Sequence, residues 1–127
     1  MTILTEGSRK AEFMISEAND WRSRDAGVIT VPANTTFESG TVLGQQTSGL
    51  KYVRHDTDGT DDGRRAEAAL LFEPLVNTTN GALDFNATVL VRDCEVTGAE
   101  LTYEDGADAA AITASNVALA ALGLIVR

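Results

Sequence analysis

The sequence predicts an α+β, mostly β fold: a small antiparallel, barrel-like β body with one C-terminal helix and an extended N-terminal arm. Three observations predict it. Short apolar runs recur between Gly, Pro and Asn punctuation from Ala26 onward, the texture of strands joined by tight turns. One stretch near the C-terminus is alanine-rich and free of breakers, which suits a helix. The first 24 residues hold a single short apolar patch, Phe13-Met14-Ile15, between polar clusters, and offer too little to bury alone. We therefore divide the chain into an arm over 1–24 and a β-rich domain over 25–127.

Taken in order, Gly27–Val31 is a strand candidate ended by Pro32, which lacks the N–H a ladder needs. Gly40–Gly44 and Leu50–Val53 are short strands separated by Gly and Ser turns. Glu67–Leu75 is apolar at consecutive positions, as in a strand covered on both faces, and Pro74 marks its end. Asn80-Gly81 reads as a hairpin turn, because both residues tolerate positive φ. It would join that run to Ala87–Val96, the strongest strand signal in the chain, and Ala99–Tyr103 follows after Gly98. The helix over the alanine-rich stretch has Ser115 or Thr113 as N-cap and Gly123 just past its end. Leu124–Val126 closes as a short buried strand.

Charge narrows the class of partner. The net charge is −9, yet residues 1–24 carry four acids (Glu6, Glu12, Glu17, Asp20) against four bases (Arg9, Lys10, Arg22, Arg24). The remainder holds the whole −9, so it repels phosphate backbones and disfavours nucleic acid as a partner. The neutral front segment can lie against another protein without that repulsion. No run approaches the roughly 18 apolar residues of a membrane span, and the N-terminus lacks the pattern of a signal peptide. Cys94 is the only cysteine, which excludes an intramolecular disulfide and fits folding in a reducing cytosol.

The stretch Arg54–Arg65, RHDTDGTDDGRR, is the one place where the sequence hints at chemistry. An EF-hand-like loop needs oxygen ligands at positions 1, 3, 5 and 12 and glycine at 6. Counting from Asp56 supplies Asp58, Thr60 and Glu67 but puts Asp61 at position 6. Counting from Asp58 supplies Gly63 but leaves Ala69 where the bidentate acid belongs. The better reading is a solvated turn between strands, with Asp58-Gly59 and Asp62-Gly63 as turn formers. A calcium-stabilised extracellular β module is the alternative this loop alone supports.

Enzyme features are scarce. His55 sits at the mouth of this polar loop, where nothing in the sequence orients it as a general base, and there is no Gly-x-Ser-x-Gly elbow. Walker and dinucleotide-binding glycine loops are missing, and Cys94 falls inside a strand, where packing is the expected role. We expect no enzyme, no catalytic residues, no metal site and no cofactor. Trp21, beside arginines in NDWRSRD, either caps the core edge or docks on a partner.

The order of these features resembles a known family. An arm containing EFMISEANDWRSRD leads to FESGTVLG, then to LKYVRHDTDGTDDGRRAEAALLFEPL, ATVLVRDCEV and a terminal ALAALGLIV. That succession is similar to the lambda-type bacteriophage head decoration proteins, over nearly the whole chain. The stretch DGTDDGRRAEAALL looks like the family's Asp-Gly-rich turn running into a small-residue strand. One departure stands out: TYEDGADAAA occupies the place of a Trp-Pro before the final helix.

The resemblance implies a β-tulip-like fold assembled as homotrimers on the outer surface of the virion capsid, at three-fold sites of the expanded head. It implies the major capsid protein as partner, assembly in the host cytoplasm, and reinforcement of the shell against packaged DNA. On this reading the arm residues Ala11, Glu12, Phe13, Met14, Ile15 and Ser16, with Trp21, form the capsid-binding segment. AEFMIS would add a strand to a sheet edge of the capsid protein, with Phe13 and Ile15 on one face and Met14 on the other.

Overall fold

A computed structural model describes residues 9–127; residues 1–8 of the expected arm and the Trp21 side chain lie outside the described residues. In chain order the strands are β1 (Met14–Glu17), β2 (Arg24–Val31), β3 (Thr35–Phe37), β4 (Val42–Gln45) and β5 (Tyr52–Arg54). After them come β6 (Ala69–Leu71), β7 (Leu75–Asn77), β8 (Leu83–Leu90), β9 (Cys94–Val96), helix α1 (Ala109–Ala121) and β10 (Leu124–Val126). About 37% of the described residues are in strands.

Five strands close a barrel in the order β2-β5-β4-β6-β8, with β8 returning to β2. The longest ladder is β2 against β8, antiparallel from Arg24↔Leu90 to Val31↔Leu83. Closure costs one irregularity: β2 meets β5 in parallel, at Ile29↔Tyr52. The barrel interior is apolar, with Ile29, Val31, Leu43, Ala69, Leu71 and Val89 all fully buried. Because it is filled by side chains, the barrel is a core and not a channel.

A second core lies at one end of the barrel. There the three-stranded sheet β1-β9-β10 packs Phe13, Cys94, Val96 and Leu124 against Val42, Leu70, Leu90 and Leu119 of α1. β3 and β7 form a separate two-stranded ribbon.

Several expectations change. The arm does not extend to residue 24: β1 pairs antiparallel with β9, and Phe13 is fully buried in the chain's own second core. The reason is hydrophobic. A phenylalanine held against its own chain needs no partner to leave water. The run Glu67–Leu75 breaks into β6 and β7, and Ala87–Val96 into the end of β8 and β9. The second break is a backbone event, because Asp93 takes a positive φ of 49° and its carbonyl accepts from Ser23 Oγ at 2.8 Å. Asn80-Gly81 is not a hairpin turn: neither residue has positive φ, and β7 pairs with β3 while β8 pairs with β2 and β6. Ala99–Tyr103 is a 3-10 turn over Gly98–Glu100 followed by a single bridge, Thr41↔Thr102. α1 starts earlier than expected, capped by Asp108, whose carboxylate accepts from the Ala111 N–H at 2.8 Å. Gly123, with φ of 89°, ends the helix as expected.

Candidate functional site

From Arg9 onward the front segment is tied to the body by a series of contacts. The Ala11 N–H donates to the Phe72 carbonyl and to Ser39 Oγ, both at 2.9 Å. The Glu12 carboxylate accepts from the Arg9 N–H at 2.8 Å. Gly40 is the floor under the Phe13 ring: a Cβ there would meet the ring at 3.2 Å and the Glu100 carbonyl at 2.9 Å, and its φ is +87°. The Phe13 carbonyl in turn accepts from the Thr97 N–H at 2.7 Å. Lys10 Nζ and the Arg24 guanidinium flank the Phe72 ring at 5.2 Å and 4.3 Å from its centre. Arg24 also holds Glu17 through two hydrogen bonds, at 2.9 and 2.5 Å.

β1 is an edge strand. One side faces β9, and the other has no strand partner among the described residues. Its register slips between Met14 and Ser16, so Ile15 is the extra residue of a bulge and stands 52% exposed. The expected alternation, with Phe13 and Ile15 on one face, is thereby lost. Ser16, Glu95 and Ile125 align across the sheet, and Arg127 holds Glu95 at 2.8 Å, which pulls that carboxyl below its usual range. Leu122 and Ile125, each 37% exposed, are further large apolar side chains that the fold leaves in contact with water. The sequence reading missed Leu122 and Ile125. Their signal was the alternation at the C-terminus, where Leu124 points in and Ile125 out.

The loop between β5 and β6 is a built turn. Its Asp62 carboxylate accepts from Arg64 Nε and Nη2 at 2.9 and 2.8 Å and from Gln46 at 3.0 Å, which holds it well below the ordinary carboxylate range. Asp56 accepts from the Asp58 N–H at 3.1 Å, and Glu104 receives Thr57 through its N–H and hydroxyl. Glu67, the twelfth position of the calcium register, is turned inward to Ser115 and His55 instead. Among the described residues no group of three or more His, Cys, Asp or Glu side chains is clustered to hold a metal ion.

His55 is not at the loop's mouth; it is 1% exposed, with Nε2 at 3.2 Å from Glu67 Oε1. The same oxygen accepts from Ser115 Oγ at 2.5 Å. A serine, a histidine and a glutamate are thus brought together, but in the wrong order for nucleophilic catalysis: the hydroxyl donates to the carboxylate and not to the imidazole. Cys94 is buried, which pushes its thiol up to about 11 and keeps it unreactive. No nucleophile and base are paired among the described residues.

No curated protein matches the chain. The family model described as bacteriophage lambda head decoration protein D matches residues 3–124, a span that contains both cores, the built loop and α1. The chain belongs to that head decoration family.

Proposed function

We propose that the chain binds as a homotrimer to the outside of an expanded phage head, at three-fold sites, and braces it against the packaged DNA. Family membership supports the coarser statement directly: a structural protein of the phage capsid, associated with the virion. The match across the whole body carries the reading, because it takes in the fold and not one motif.

In this reading the major capsid protein meets the chain's front. Residues 1–8 precede a strand whose outer edge has no strand partner among the described residues, with Ile15 and Ser16 exposed beside it. A sheet edge of the capsid protein would pair there through main-chain hydrogen bonds. Ala11, Glu12, Phe13 and Met14, held against the chain's own body, would flank this contact. Trp21 would contribute to the same contact.

Helix α1 supports self-association. It contains no charged residue, and only Ser115 and Leu119 are buried, so Val117 and several alanines face outward. On a chain of net charge −9, that is a surface where a second copy meets no like charge. Three arms on one trimer bind in series at high effective concentration, which multiplies modest affinities by about 10² or more. If the docking edge exists only in the expanded shell, binding also favours that shell.

The test uses undecorated expanded heads and purified protein. A trimer of three 13.4 kDa chains by light scattering, with saturable head binding and a higher bursting temperature, is the expected result. Removing residues 1–8 and replacing Ile15 by Ser together take away the front segment and the exposed bulge of β1, and should abolish binding while leaving the melting curve nearly in place. Full head binding by that variant would refute the docking proposal.

A further inference from the structure

We infer that Asn80 is a site of spontaneous deamidation, a modification that the fold leaves open there. In the reaction the backbone nitrogen of the next residue gives its proton to water or hydroxide and attacks the side-chain amide carbon. A ring closes as the new C–N bond forms, the old amide C–N bond breaks, and ammonia leaves. Water then opens the ring at either carbonyl, giving aspartate or isoaspartate.

The chemistry needs an unhindered and uncommitted N–H beside an accessible amide, and Gly81 supplies it. A glycine has no Cβ to obstruct ring closure, and nothing lies within 4 Å of where one would stand at Gly81. Asn80 and Gly81 are exposed and outside any strand. Among the described residues no acceptor takes the Gly81 N–H. Asn34 Nδ2 donates to Asn80 Oδ1 at 3.2 Å, which draws electron density from the carbon to be attacked.

The remaining asparagines are each followed by a residue with a side chain. Asn77 is buried, Asn86 is held in β8, and Asn116 lies in α1.

The product alters a clasp. Asn77 Nδ2 donates to the Gly81 carbonyl at 2.9 Å and to the carbonyls of Val31 and Pro32 at 3.0 Å, binding the loop to the end of β2. Isoaspartate puts an extra carbon into the backbone between 80 and 81. It shifts the Gly81 carbonyl away from Asn77 and adds a negative charge to a chain already at −9.

The experiment incubates the purified full chain at mildly alkaline pH and maps its peptides by mass, with isoaspartyl methyltransferase labelling. The expected result is a gain of about 1 Da confined to the peptide carrying Asn80, with methyl-accepting isoaspartate in it. Gly81→Ala should slow the change by about tenfold or more, and the open space around Gly81 lets that variant fold. Equal rates in Gly81→Ala and the unaltered chain would overturn the mechanism. So would an unmodified Asn80 in the folded chain over a period in which the urea-unfolded chain deamidates there.

Discussion

The Ser115 hydroxyl donates to the Glu67 carboxylate across 2.5 Å, and that contact joins α1 to the segment leading into β6. Apart from Ser115, Leu119 is the only buried residue of the helix, and Asn116 Oδ1 accepts from the Tyr103 hydroxyl at 2.6 Å. Ser115→Ala removes the donor from a carboxylate that is largely shielded from water. It should cost about 1–3 kcal/mol, read as a lower denaturant midpoint. Val117→Ala, on the exposed face, should leave the midpoint of the isolated chain within about 0.5 kcal/mol.

Phe13 and Ile15 are close in sequence but differ in role. Phe13→Ala empties a fully buried site and should cost about 3–5 kcal/mol by urea unfolding. Ile15→Ser touches only an exposed bulge and should leave stability nearly unchanged while weakening binding to heads. If Phe13→Ala melts like the unaltered chain, the buried position of the front segment is wrong.

Gly63 is the residue on which the loop turns. Its φ is +109°, and an added Cβ would collide with the Gln45 carbonyl oxygen, so Gly63→Ala forces the loop off β4. The expected cost is about 2 kcal/mol or more, seen as a lower melting temperature. The Asp62 and Asp56 carboxylates are engaged with Arg64, Gln46 and a backbone N–H, and Glu67 is turned inward, so calcium and EDTA should each leave that temperature unmoved. A calcium-dependent rise would reopen the metal reading.

Cys94 gives a pH signature. Burial raises its thiol from 9.0 to about 11, so the unfolded chain ionises first as pH rises. Its contribution to stability is therefore intact below pH 9 and is lost as pH climbs toward 11. Cys94→Ala should show a flatter fall in urea midpoint over that interval than the unaltered chain. At neutral pH the native thiol should resist a disulfide reagent and react only on unfolding.

The sequence by itself determined the class of the molecule. Alternating and continuous apolar runs marked most strands, and the alanine-rich stretch ending in Gly123 marked the helix, because these signals are local. The order of the motifs also carried the family, which the match over residues 3–124 bears out. What the tertiary structure decided were the long-range choices. It set Phe13 into its own core and β1 onto β9, split two apparent strands, and turned His55 and Glu67 inward to Ser115. A short apolar patch reads the same whether its burial partner is its own chain or a neighbour's. Only the closed barrel, with an apolar end left to cover, selects between them.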